Sequence, residues 1–267
     1  MISPLKTYKY RAFNNYSWQI LTDQKIYFSS PKYFNDPKDC KIPILFEIGT
    51  ENQMYHNNLE KIKELFPKLS PRQQKQKAKE LAKSIYLKRN DEILKKELRE
   101  SLIETHSKVG IFSTSLIKDN KLMWSHYSDS HKGFCIEFNI DMLIKSLEMH
   151  LWKGVIPIFK EVNYTEISPR INPYILNDEQ VFMALYFTKS IDWAYEKEYR
   201  FLIDENANKS FELKPNTITS IILGSECSSE NEKRMKEVLN NFSYQISLKK
   251  ITYDDLDYNL LFEDILY

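Results

Sequence analysis

Leu122–Phe138 reads LMWSHYSDSHKGFCIEF and holds two of the chain's five histidines, one of its four tryptophans and one of its five glycines. Val109–Leu116 leads into it and Phe134–Phe138 leads out, both rich in strand-forming residues, so two strands are expected to flank a polar middle. The middle reads as one short helix, with Trp124, Tyr127 and Met123 facing inward. Ser125, His126, Asp129, His131 and Lys132 then fall on the open side or in the loop before Gly133. Functional groups this dense between two strands are where a site is expected.

Working outward, Leu5–Phe13 reads as an opening strand, Asn15–Asp23 as a helix with Trp18, Ile20 and Leu21 toward a core, and Lys25–Ser29 as a short strand. The following SSPKYFNDPKD marks a tight loop, broken at Asn35-Asp36-Pro37 because proline restricts the residue before it. Asp36 and Asp39 there are either site carboxylates or turn and cap formers, and Asp36 is a possible partner for Arg11 or Arg200. Beyond the opening stretch, Asp141–Leu151 is expected to be helical. Gly154–Tyr164 is expected to be a strand near an edge, because of Pro157. Asn177–Thr188 reads as helix, Tyr195–Ile203 and Thr217–Leu223 as strands, Ser228 to about Asn241 as a helix, and Tyr244–Ile251 as a last strand. The tail, DDLDYNLLFEDILY, is acidic and amphipathic and is expected to dock on the body.

Residues 57–106 differ from everything around them: glycine is absent, and Glu, Lys, Arg, Gln, Leu and Ala recur at helical spacing. Prolines 67 and 71 divide the run into helices near 57–66, 71–88 and 90–106, the middle one capped by Ser70. Glu60–Lys108 carries fourteen Lys and Arg against eight Asp and Glu, a local surplus in a chain whose net charge is only +1. The two readings of that surplus are a nucleic-acid contact surface and a solvated helical insertion. The fold class is therefore α+β: a mixed, mainly antiparallel and split sheet with flanking helices, formed by residues 1–56 and 107–267, with an all-helical basic insertion at 57–106.

Three cysteines without CxxC spacing argue against a disulfide framework or a structural zinc site and suit a reducing cytoplasm. The amino terminus has no apolar signal-type core, and no apolar run is long enough to span a membrane. Five glycines at 49, 110, 133, 154 and 224 form neither GxGxxG nor GxxxxGK[ST], which excludes the usual Rossmann and P-loop fingerprints.

A second dense motif is Trp193–Arg200, WAYEKEYR. On a strand, Glu196, Glu198 and Arg200 share one face, with the two carboxylates about 7 Å apart. An exposed row of this kind is a charge ladder. A row lining a cleft lets one carboxylate be held by Arg200 while the other binds a hydroxyl or takes a proton. His126 is either a structural hydrogen-bonder beside Trp124 or a substrate contact, and Cys135 is read as buried and inert. His126, Asp129 and Cys135 are too few for a metal site, and none is expected.

The series YKYR, IYFSSPKYFNDPKD, IFSTS, LMWSHYSDSHKGFCIEF, VNY and WAYEKEYRF resembles the family called domain of unknown function 2971, over about residues 5–205 apart from the basic insertion. The order of a strand ending in a basic residue, a strand with serine near its end and a late strand carrying glutamate is similar, more distantly, to the ADP-ribosyltransferase layout. That resemblance implies a transferase using NAD as co-substrate, a toxin or an antiviral defence effector modifying nucleic acid. It implies Glu198 as the catalytic carboxylate, with Glu196 and His126 beside it, and Arg11 on an NAD phosphate with Ser29 or Ser113 flanking the nicotinamide. Asn35, Asp36, Trp124, Tyr127 and Arg200 complete the candidate cofactor contacts. The rivals are a metal-dependent nuclease built on Asp36, Asp39, Glu196 and Glu198, and a non-catalytic module holding a nucleotide or peptide. Nucleic acid is the partner expected at 57–106, and no membrane is expected.

Overall fold

The computed structural model describes residues 5–41, 43–46, 50–88, 90–150, 157–172 and 176–267. β1 (Lys6–Arg11), α1 (Asn15–Thr22) and β2 (Lys25–Phe28) come first. Three long helices follow: α2 (Glu51–Leu65), α3 (Pro71–Leu87) and α4 (Glu92–Lys108). Next are β3 (Gly110–Ser115), α5 (Lys121–Tyr127), β4 (Phe134–Asn139), α6 (Ile140–Glu148), β5 (Ile158–Glu161), β6 (Asn163–Thr165), α7 (Asp178–Tyr186) and β7 (Thr188–Ser190). A 3-10 helix at Ile191–Glu196 leads to β8 (Glu198–Ile203), β9 (Lys209–Glu212), β10 (Ile218–Leu223), α8 (Ser229–Leu239), β11 (Ser247–Tyr253) and β12 (Leu260–Asp264). The architecture is α+β, and the chain divides into two compact units.

The first unit comprises Met1–Tyr33, Lys108–Val162 and Asp192–Tyr267. Its centre is an eight-stranded sheet in the order β12-β11-β10-β4-β1-β3-β8-β5. Only β10 and β11 run parallel within it, joined through α8 as a β-α-β crossover. Register fixes which side chains share a face. Tyr8 stands opposite Ser115 and Ser115 opposite Glu198, while Arg11 stands opposite Phe134 and Phe134 opposite Leu223. Alternation then puts Tyr8, Tyr10, Ser113, Ser115, Cys135, Glu137, Glu198 and Arg200 on one face, and Lys9, Arg11, Phe112, Phe134 and Phe201 on the other. Trp18, Leu21, Leu143, Leu147, Met235 and Leu239, from α1, α6 and α8, close the second face into the main core. Met123 and Trp124 of α5 cover the first face over Tyr8, Tyr10 and Cys135.

The second unit comprises Phe34–Ser107 and Asn163–Ile191. Thr50 and Ser70 begin α2 and α3 with reciprocal capping boxes, each using a glutamine three residues on. Met54 and Ala82 are buried between helices, with Tyr55, Ile85 and Leu98 against them. α2 starts six residues before position 57, because ENQMYH continues the helix from the Thr50 cap even though the composition changes later. Ser70 caps α3 as expected. β6 and β7 pair in parallel, and Asn177 caps α7.

Two expectations are corrected. The strand expected at Tyr244–Ile251 is not the last: the acidic tail docks on the body as expected, but as a further strand, β12 (Leu260–Asp264), paired antiparallel with β11 and closed by a Lys249–Asp264 ion pair of 2.7 Å. Nor does a strand run through Tyr195: the chain is 3-10 up to Glu196, Lys197 adopts φ 44°, and the strand begins at Glu198. The strand expected over Gly154–Tyr164 lies partly outside the described residues; within them, β5 is the edge of the sheet. Among the described residues, no helix is long and apolar enough to cross a membrane.

Candidate functional site

The two dense motifs meet on the first face of the sheet. Asn120 caps α5 by accepting from the Leu122 and Met123 amides, and its amide nitrogen donates to the Tyr195 carbonyl at 3.0 Å. Ser115 donates its hydroxyl to the Glu196 carbonyl at 2.6 Å. These two contacts hold the backbone of 195–196 in its turn, which is why alternation fails there. From α5, the Tyr127 hydroxyl donates to Glu196 Oε1. His126 Nδ1 lies 3.1 Å from the Tyr195 hydroxyl. Trp124, wholly buried, donates Nε1 to the Lys118 carbonyl at 2.8 Å and meets the Tyr10 ring edge-on at 5.1 Å.

Glu198 and Arg200 form a two-pronged pair along one strand face, Nε to Oε1 and Nη2 to Oε2, both 2.8 Å. Arg200 is fully buried and Glu198 is 6% exposed. The row is therefore neither an open charge ladder nor a pair of free carboxylates. Glu196 is also buried, but it stands on the 3-10 helix rather than on the strand face with Glu198.

A carboxylate that the sequence reading passed over lies on the same face. Glu137 accepts from Lys6 at 2.8 Å, from Thr219 at 2.7 Å and from the Tyr8 hydroxyl at 3.2 Å. Burial alone would raise its pKa, yet these partners hold it below the ordinary carboxylate value. The available signal was an acid inside the otherwise apolar FCIEF. The Tyr8 hydroxyl is correspondingly pushed up, by burial and by Glu137. At the sheet's rim His131 lies 3.3 Å from both the Ser125 and Tyr253 hydroxyls, and burial lowers its pKa against the opposing pull of Glu226.

Arg11 is not part of this cluster. It points from the opposite face, at the end of β1, where β4 begins and β10 ends. Its Nε is buried with no hydrogen-bond partner, and burial lowers its pKa. The backbone there is tightly packed: a Cβ on Gly133 would lie 2.1 Å from the Arg11 carbonyl oxygen, and one on Gly224 would lie 1.9 Å from that of His131. Only glycine fits either position. The adjoining Ser225 hydroxyl is likewise buried without a partner. α1, capped by Asn14, starts four residues after Arg11, and α8, capped by Ser228, starts soon after Ser225.

Of the remaining candidates, Ser113 faces the cluster opposite Arg200, and its carbonyl takes the Lys9 ammonium at 2.5 Å. Ser29 exchanges two backbone bonds with Ile111 at 2.9 Å. Asn35 and Asp36 fall in the second unit. There Asp36 accepts the Lys38 amide at 2.8 Å, a turn-forming role. Asp39 pairs with Lys189 at 3.6 Å, both buried. Among the described residues, no group of three or more His, Cys, Asp or Glu is placed to hold a metal ion.

Residues 123–201 match the model of a family described as Protein of unknown function (DUF2971). That span begins at Met123 and takes in both dense motifs, so the resemblance is borne out there, and the amino-terminal YKYR and SSPKYFNDPKD series lies outside it. No curated protein and no solved structure matches the chain.

Proposed function

We propose that this chain, whose residues 123–201 match the DUF2971 model, binds a nucleotide of the NAD type through its pyrophosphate, with Arg11 as the anchor. The unpartnered, buried Nε of Arg11 is the observation that carries the reading. Arg11 is half-buried, and its Nε–H is cut off from water without an acceptor, which is costly; a phosphate supplies a charge-matched, two-pronged partner. Ser225, whose hydroxyl is also unsatisfied, adds a donor at the same end of the sheet. The amino-terminal turn of α1, which begins four residues after Arg11 and holds no acidic residue, also favours negative charge.

In this reading the Glu198–Arg200 pair is a strut of the opposite face, and Trp124 and Tyr127 fix α5 to it. ADP-ribosyl transfer through Glu198 would require its carboxylate to leave Arg200. The helical segment 57–106 is proposed in addition to contact nucleic acid, on the strength of its surplus of Lys and Arg.

Calorimetric titration with NAD, ADP-ribose and inorganic pyrophosphate tests the anchor. All three are expected to bind the wild type, and Arg11→Ala is expected to weaken each by about tenfold or more, the scale of a lost charge-assisted pair. Equal affinity in Arg11→Ala contradicts the reading. Nicotinamide release that disappears in a folded Glu198→Gln variant would establish transfer as the function instead.

A further inference from the structure

An open groove of about 810 Å³ in the second unit is lined by Glu51, Asn52 and Tyr55 of α2 and by Arg72, Lys75, Gln76 and Lys79 of α3. Arg72, Lys75 and Lys79 are spaced three and four residues apart, so they form one cationic row along a single helix face. All three are exposed. Ala78 and Ala82 are buried on the flank of α3 that adjoins this row.

The charges of this row differ from others in the same unit. Lys61, Lys63, Lys95 and Lys96 each meet a carboxylate, at 2.6–3.8 Å. Among the described residues, no carboxylate pairs with Arg72, Lys75 or Lys79. The nearby Glu80 instead accepts the Gln76 amide at 2.6 Å. Within the groove, three cations stand against the single carboxylate of Glu51, which leaves a surplus of positive charge. Tyr55 presents a half-buried ring among these cations, with its inner edge held against Met54 and Ala82.

We propose that this groove is a binding site for single-stranded nucleic acid, with Arg72, Lys75 and Lys79 following the phosphates and Tyr55 stacking on a base. It rests on the reading of the helical segment as a nucleic-acid contact and names the surface responsible. A duplex keeps its bases paired away from such a ring, so the aromatic contact selects the single strand. Three phosphate contacts on a single strand give a salt dependence of about −2 in log–log slope, or roughly 20-fold weaker binding between about 50 and 200 mM salt.

The test is fluorescence anisotropy on the full chain with a labelled thymidine oligonucleotide of about 20 nucleotides. The combined Arg72→Glu, Lys75→Glu and Lys79→Glu variant is expected to lose affinity by about tenfold or more and to flatten the salt slope. Tyr55→Leu is expected to lose about fivefold or more. Lys96→Glu on α4 serves as the control and is expected to bind as the wild type does. Lys75→Gln, an exposed single change, keeps the test readable if the triple variant fails to fold, and is expected to reduce the slope by about one third. Wild-type binding undiminished by the groove variants overturns the groove while leaving the nucleic-acid reading intact. No binding by the wild type overturns both. Equal affinity for duplex of the same length overturns the single-strand assignment.

Discussion

Glu198 and Arg200 stand two residues apart, and the sequence allowed either a site or a strut. Which it is depends on burial, a property that a strand motif does not carry by itself. With both groups removed from water and matched prong to prong, removing one alone takes from the other its two-pronged, oppositely charged partner. Arg200→Met is therefore expected to destabilise the first unit by about 3–5 kcal/mol, and Glu198→Leu with Arg200→Met to recover much of that loss. Urea denaturation of the single and double variants measures both, and additive losses would contradict the strut. Arg11 shows the reverse limitation. Its position at a strand end was legible, but its face follows from the Arg11–Phe134 register, and the sequence carries no direct statement of register.

Among elements, α5 was the most legible, because Met123, Trp124 and Tyr127 mark one face and Asn120 supplies its cap. Trp124→Ala is expected to cost about 3–5 kcal/mol in unfolding free energy, since a wholly buried ring cannot be replaced by collapse. The segment after it was misread for a physical reason. Tyr195, Tyr199 and Phe201 suggest alternation with a break at Lys197, but hydrogen bonds from Asn120 and Ser115 hold 195–196 in a turn and Lys197 takes a left-handed conformation. Lys197→Gly is expected to stabilise the protein by about 0.5–1 kcal/mol, as relief of left-handed strain exceeds the entropy glycine adds to the unfolded chain. A fall in the melting temperature of that variant would count against the turn. The docking of the tail was legible, but not its form, because LLFED is short and acidic and does not stand out as a strand. Its pairing to β11 comes from cross-strand partners such as Lys249 and Asp264.

For the whole molecule, the α+β class was readable from helical and strand periodicities, whereas sheet order was not, since neighbours such as β1, β3 and β4 meet across long stretches of chain. Each unit also contains a histidine that folding shifts in the same direction. Burial lowers the pKa of His106 in the second unit, whose Nδ1 meets the Tyr186 hydroxyl at 2.9 Å, and of His131 in the first. The folded state thus resists protons that the unfolded state accepts. This stability is fully present above the unfolded imidazole value of about 6.5 and is lost as pH falls from there toward the lowered folded values. Urea midpoints should decline below that pH in the wild type, and the decline should be shallower in His106→Gln; a midpoint that rises on mild acidification would contradict the assignment.

The claim on which the function rests is that Arg11 waits for a phosphate while Arg200 is already satisfied. Nitrogen-resolved NMR of the arginine Nε–H groups during titration with inorganic pyrophosphate examines both at once. The expected result is a saturable shift of the Arg11 resonance with Arg200 unmoved. A stationary Arg11, or a shift at Arg200 in its place, would contradict the account.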